Sequence, residues 1–339
     1  MPGTVLVTGI SGYIAKHCAL ALLSAGYRVR GTVRKQAKAE QVQATLARHA
    51  DIANLEFVEA DLLSDAGWSE AVRDCASVLH LASPFPLAAP KDENDLIRPA
   101  VDGTLRVLKA ARAGNVKRFV QTSSVAAIYA GHPASHSAPF TESVWSDVDG
   151  LGITPYEKSK TLAERAARDF MAGEGGDMHY SSVNPGFVMG PALDTDVESS
   201  ANVLLMLLRG SYPALPPVPF PIVDVRDVAD MHLKALQTKE PSGGRYMGVD
   251  RTMRLVEIAR TVKEALGADA RKVPVRELPA FAVRILALFD SSAATIVPQL
   301  NRKLVMDNSR TRQALEMEFR PACQAAVDMA RSLIELKLV

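Results

Sequence analysis

Val5-Leu-Val-Thr-Gly-Ile-Ser-Gly-Tyr-Ile-Ala15 decides the fold. Val5 to Val7 read as a buried strand. They run into Thr8-Gly9 and Gly12, and the apolar run Ala19 to Leu23 then reads as a helix. A strand, a tight glycine turn and a helix N-terminus make a cradle for a pyrophosphate, because backbone N–H groups and the helix dipole face the anion. Gly9 lets the chain turn sharply, and Gly12 lets the backbone approach the phosphates without a Cβ in the way. Ala15 takes the third small position, where helix packs on strand.

Working outward, strand and helix signals alternate through the first half of the chain, which favours a parallel sheet with helices on both faces. Strands are expected at 27–33, 55–59, 76–82, 118–122 and 180–184. Helices are expected at about 38–49, 93–113 and 154–172, the last starting at the N-cap pair Thr154-Pro155. Residues 131–153, rich in His, Pro, Ser, Asp and Gly, read as a surface excursion that carries His132 and His136. Beyond 185 the alternation weakens. Pro213 to Pro221 holds five prolines in nine residues, so no regular structure is expected there. Helices at about 226–237 and 255–266 flank a short strand at 245–249, and a helical tail at 310–337 is broken at Pro321.

At 339 residues the chain exceeds what one core supports, roughly 250–300 residues, so a large domain with a smaller lobe is expected. Thirty-nine basic residues against 38 acidic ones argue against nucleic acid or an anionic membrane as the main partner. Cys18, Cys75 and Cys323 form neither a disulfide framework nor a zinc pattern, so a reducing compartment is expected and no metal. The start of the chain carries no basic region before an apolar core, and no uncharged apolar run reaches 18 residues. A cytoplasmic protein with no membrane span is the expectation.

The second strand ends Thr32-Val33-Arg34, followed by Lys35 and Lys38. A dinucleotide site that accepts only a ribose 2′-hydroxyl usually places an acid here, whereas an arginine accommodates a 2′-phosphate. Arg34 therefore points to NADP(H). Asp61-Leu62, after the third strand, is placed to meet the adenine edge or to cap a helix. Tyr156-Glu-Lys-Ser-Lys160 puts a phenol and an ammonium four apart on one helix face, Cβ atoms roughly 5–6 Å apart. The ammonium lowers the phenol's pKa toward a range useful for proton transfer. The fifth strand ends in Thr122-Ser123-Ser124, 32 residues upstream of Tyr156, at the sheet edge where ligands bind.

These motifs resemble the extended short-chain dehydrogenase/reductases, and within them the dihydroflavonol reductase and cinnamoyl-CoA reductase group, which includes microbial aldehyde and methylglyoxal reductases. The matching pieces are Thr8 to Ala15, Gly31 to Arg34, Asp61-Leu62, His80-Leu-Ala-Ser-Pro-Phe85, Thr122 to Ser124, Tyr156 to Lys160, Asn184 to Pro191 and Asp224 to Ala229. They fall in order over residues 4 to about 232. The resemblance implies a Rossmann doubly wound α/β sheet with a smaller C-terminal substrate-binding lobe. It implies an NADP-binding domain over 1–184 plus about 222–250, and a lobe over 185–221 and about 251–339. It assigns Ser124, Tyr156 and Lys160 as the catalytic residues. The cofactor would be held by Thr8, Gly9, Ser11, Gly12, Tyr13, Ile14, Arg34, Lys38, Asp61, Leu62, Leu81, Ala82, Ser83, Pro84, Thr122, Ser123, Tyr156, Lys160, Pro185, Gly186 and Val188.

The implied activity is NADPH-dependent reduction of an aldehyde or ketone. Phe85, Pro86, Ile128, Tyr129, Phe187, Met189 and the 203–221 segment are the candidate substrate wall, with Ser124 and Tyr156 at the reacting carbonyl. The excursion does not carry the plant enzymes' specificity residues, so a flavonoid substrate is not expected. Three alternatives stay open: a nucleotide-sugar epimerase or dehydratase, a 3β-hydroxysteroid dehydrogenase-like enzyme, and a non-catalytic NADP sensor. The expected partner is a small carbonyl or alcohol; family members occur as monomers and as homodimers.

Overall fold

The computed structural model describes residues 3–83, 92–133, 135–197, 199–289 and 291–339. In chain order the first half runs β1 Thr4–Thr8, α1 Tyr13–Ser24, β2 Arg28–Val33, α2 Gln36–Leu46, β3 Leu55–Glu59, α3 Trp68–Ala71, β4 Cys75–His80, α4 Asn94–Ala113, β5 Arg118–Thr122, α5 Ala126–Tyr129, α6 Pro155–Gly173 and β6 His179–Pro185. The second half runs β7 Phe187–Met189, α7 Ser199–Arg209, β8 Pro219–Asp224, α8 Val225–Gln237, β9 Gly244–Gly248, β10 Arg251–Arg254, α9 Leu255–Leu266, α10 Ala280–Leu286, α11 Ser291–Ile296, α12 Ser309–Ala314 and α13 Ala322–Glu335.

Seven strands form one parallel sheet in the order β3-β2-β1-β4-β5-β6-β9. The order reverses between β1 and β4, and such a switch point opens a crevice beyond the strand C-termini. Both faces of the central strands are covered, so apolar residues of each strand point to both sides. Leu6, Val78, Phe119 and Tyr180 point into a core closed by Trp68, α4 and α6. Their neighbours Val5, Val7, Leu79, Val120 and Val183 point into the opposite core, closed by α1, α8, α9 and α13. The α6 start is as read: Thr154 and Glu157 form a reciprocal capping box, with Pro155 in the first turn.

The proline stretch departs from expectation. Pro219 and Pro221 lie within β8, the middle strand of a second, three-stranded sheet ordered β10-β8-β7. The two prolines sit at alternate positions, so both missing N–H groups face the same side. The carbonyls of Val218 and Ile222 accept from Leu255 and Asp250 on the β10 side. The prolines face away from β10, and β7 begins to pair only at Ile222. Over its first residues β8 is thus an edge strand, where proline is tolerated. The short strands β7 and β10, which complete this sheet, give no signal of their own in the sequence.

Candidate active site

The glycine turn is pinned from beneath. Thr32 on β2 accepts at Oγ1 from Gly9 N (2.8 Å) and at its carbonyl from Ile10 N (3.2 Å). Gly9 has φ +63°, and a Cβ there would come 3.0 Å from Ala82 Cα. Helix α1 starts at Gly12 with no side-chain cap and no acid in its first turn. That is the arrangement a pyrophosphate requires, since a capping carboxylate would take its place. Behind the turn, Tyr13 donates to Gly190 O (2.7 Å), and the buried Lys16 ammonium pairs with Asp194 at 2.6 Å. Ser11 and Ile14 are half-buried at the turn.

Thr8 is fully buried, and its hydroxyl holds the exit of β4. Its Oγ1 accepts from the backbone N–H groups of Leu81 and Ala82 (3.0 Å each) and lies 2.9 Å from His80 Nδ1. With two donors already on the oxygen, the hydroxyl proton goes to Nδ1. His80 is therefore a neutral imidazole with its own proton on Nε2. Burial, with the nearby Lys160 ammonium adding to it, pushes its pKa down to about 3. Ser83 follows, half-buried; Pro84, Phe85 and Pro86 lie outside the described residues.

Tyr156 and Lys160 sit one turn apart on α6, both half-buried, with Lys160 Nζ 5.8 Å from the centre of the Tyr156 ring. Ser124 follows the end of β5, and its Oγ accepts from Ala126 N (3.1 Å) at the start of α5. The end of β4 is tied to the glycine turn through Thr8, with the Lys160 ammonium close to His80, and the end of β5 is tied to α6 through Ser123 and Glu164. Tyr129 closes one side, where burial and the neighbouring Glu157 push its phenol up from the ordinary value. A cavity of about 610 Å³ lies next to this turn, between the excursion and residues 298–302. None of Ser124, Tyr156 and Lys160 lines it, so it is not where these three groups meet.

Several expected contacts are redirected. The Thr122 hydroxyl lies 2.7 Å from His232 Nε2, and the Ser123 hydroxyl donates to Glu164 Oε2 (2.6 Å). Both hydroxyls are engaged in the interior of the protein. Ile128 and Met189 are fully buried in apolar cores, away from the surface. Phe187 remains half-buried, its ring tilted against that of Phe220 with ring centres 4.7 Å apart. Asp61 accepts from Leu63 N (3.0 Å) in a local turn, while Leu62 packs against Gly103 on α4. Pro185 and Val188 are buried, and Gly186 stands where a Cβ would meet Pro221 O at 2.2 Å. His132 and His136 are half-buried and packed on Phe140, not loose surface groups.

Arg34 is exposed at the end of β2 and pairs with no described carboxylate. Lys38 is held by Asp196 at 2.6 Å and by Gln41 at 3.0 Å. Glu59, at the end of β3, accepts from Gln36 N (2.8 Å) at the start of α2.

The group that motif reading misses lies directly under Ser124. Glu164, fully buried one turn beyond Lys160, accepts from Ser123, from Ser182 (2.8 Å), from Asn184 Nδ2 (2.8 Å) and from Arg245 Nε (2.7 Å). Asn184 Nδ2 also donates to Ser124 O (3.1 Å). The Arg245 fork reaches the carbonyls of Glu142, Val144 and Ala127, and its guanidinium lies 3.8 Å over the Trp145 ring. Burial would raise the Glu164 carboxyl, but Arg245, Arg168 and the hydroxyl donors outweigh it and hold the pKa below the ordinary value. A signal was present in the sequence: an arginine inside the short strand at 245–249 is out of place unless it is paired.

The comparisons agree with this architecture. The profile of the "NAD dependent epimerase/dehydratase family" matches residues 5–247. A cinnamoyl-CoA reductase of Medicago truncatula is 36% identical over 264 residues, 77% of this chain and 80% of its own length. A ketoreductase of Aspergillus niger is 32% identical, covering 98% of this chain and 97% of its own length. Among solved structures, yeast methylglyoxal/isovaleraldehyde reductase in complex with NADPH superposes with a TM-score of 0.83 at 26% identity, covering 98% of this chain and 99% of that one. With its glycine turn, parallel sheet and matched profile, the chain belongs to the NAD dependent epimerase/dehydratase family, within the extended short-chain dehydrogenase/reductases.

Proposed function

We propose that this protein is an NADPH-dependent reductase that converts an aldehyde or ketone to the alcohol. The observation that carries the reading is the uncapped glycine turn at the β1/β4 switch point, with Ser124 just past the end of β5 and Tyr156 and Lys160 one turn apart on α6. The reductases among its relatives, one of them crystallised with NADPH, support the same chemistry. The backbone at Gly9 and Gly12 fits a pyrophosphate, and exposed Arg34 fits a 2′-phosphate. When bound, NADPH supplies the hydride that reduces the carbonyl carbon.

Tyr156 gives its phenol proton to the carbonyl oxygen, so that the oxygen leaves as a hydroxyl and not as an alkoxide. Ser124 donates a hydrogen bond to the same oxygen and fixes its direction. The Lys160 ammonium stabilises the phenolate that remains until solvent restores the proton. Neutral His80 holds the β4 exit without adding a competing charge beside Lys160. Asn184 and Glu164 hold the Ser124 backbone in register with α6.

The test is steady-state NADPH oxidation over aldehydes, α-dicarbonyls, keto esters and ketosteroids, with Tyr156→Phe beside the wild type. The substitution should leave NADPH binding intact and lower kcat by about 10²- to 10⁴-fold. Turnover retained in the phenylalanine variant would overturn the assignment of Tyr156.

A further inference from the structure

Lys38 lies in the first turn of α2, four residues beyond Arg34, where a 2′-phosphate would be gathered. Its ammonium is held by Asp196 Oδ2 at 2.6 Å, with the two side chains 34% and 46% exposed. Asp196 does not swing freely. Its backbone N donates to Asp194 Oδ1 (3.0 Å), and Asp194 is fixed by the buried Lys16 and by Thr45 Oγ1 on α2 (3.0 Å). The Arg48 guanidinium also holds Leu193 O (3.1 Å). The segment leading from β7 to α7 is therefore tied to both α1 and α2, and it presents one carboxylate to Lys38, beside Arg34 and Lys35 at the same helix start. Glu59 already covers Gln36 N at the same helix start.

From this arrangement we propose that Asp196 sets cofactor discrimination: it occupies Lys38 in the free protein and competes with the 2′-phosphate of NADP(H) for that ammonium. The inference rests on the NADPH reading above. A 2′-phosphate brings close to two negative charges at neutral pH. To use Lys38, it must displace a carboxylate or share the cation with it, and the carboxylate then repels it. A cofactor without the 2′-phosphate meets neither cost. Arg34 remains available in either case, so the 2′-phosphate is still favoured, but by less than two unopposed cations would favour it.

The experiment is titration of NADPH and NADH, followed by nicotinamide fluorescence, on the full chain as wild type, Asp196→Asn, Asp196→Ser, Lys38→Gln and the Lys38→Gln/Asp196→Asn double variant. Asp196→Asn and Asp196→Ser should each tighten NADPH about fivefold and change NADH less than about twofold. In the Lys38→Gln background, Asp196→Asn should lose most of that gain. The gain should also shrink as salt is raised. Equal NADPH affinity for wild type and both Asp196 variants overturns the inference and leaves the reductase reading standing. Equal tightening of NADH and NADPH overturns it too, because the effect would not then be on the 2′-phosphate. A wild type that binds neither nucleotide overturns both.

Discussion

Glu164 and Arg245 are charged residues in a place where charge is expensive. Glu164 is wholly enclosed and Arg245 is 5% exposed, so neither keeps a hydration shell. Their attraction offsets that desolvation only because every remaining lone pair and N–H finds a partner on β5, β6, α5 or the excursion. A lysine could not replace Arg245, since a single ammonium cannot reach Glu164 and three divergent carbonyls together. Arg245→Met should therefore destabilise the fold by about 3–5 kcal/mol, because it leaves a buried carboxylate with only the longer Arg168 contact at 3.3 Å. Glu164→Gln/Arg245→Met should cost clearly less than the sum of the two single changes. Urea unfolding of the three variants checks this; strictly additive losses would show that the two side chains do not act as a pair.

The first β-turn-α unit works because β2 carries a glycine beneath the turn. A Cβ on Gly31 would lie 2.5 Å from Ile10 Cδ1, and Ile10 is fully buried with no direction in which to yield. Gly31→Ala should destabilise the protein by about 1–3 kcal/mol and weaken NADPH binding, since the strain passes into Gly9 and Gly12. Adding Ile10→Ala should recover NADPH affinity, and an unchanged unfolding midpoint for Gly31→Ala would refute the close-packing argument. This unit was readable from sequence because its glycines, apolar strand and helix are contiguous. The same holds for the 118–122 strand with its serine end and for the capped start of α6. The three-stranded sheet was not readable. Its strands are short, two of them lie in a proline-rich or charged context, and their pairing is set by partners more than 25 residues away. Buried polar clusters escape motif reading for a similar reason. Lys16–Asp194 joins residues 178 apart, and Glu164–Arg245 joins residues 81 apart.

Across the molecule, three imidazoles are buried as neutral bases. His80 accepts from the Thr8 hydroxyl, and burial lowers its pKa to about 3. His232 places Nδ1 2.7 Å from Val228 O, so it donates there and accepts from Thr122 at Nε2; burial lowers its pKa to about 4. His17 contacts Pro191 O at 3.0 Å, and burial likewise lowers its pKa to about 4. Together they tie the β4, β5 and β7 ends to their neighbours, the same ends that carry the candidate site. Between pH 6.5 and 4 the unfolded chain binds protons at these positions and the folded chain does not. The stability they contribute is therefore complete above pH 6.5 and lost on acidification, by about 1.4 kcal/mol per pH unit for each imidazole. Glu157 and Asp227 act in the opposite sense, because burial raises both carboxyls, so the net slope should be shallower than three imidazoles alone would give. Glu164, held below the ordinary carboxylate value, adds a loss only at more acidic pH. The urea midpoint should accordingly fall between pH 7.5 and 5.0, while the imidazole C2–H resonances of His17, His80 and His232 stay at their neutral positions in the folded protein. Titration of any of the three near pH 6.5 in the native state would contradict the burial and tautomer assignments, and with them the proposed hold on the β4 exit.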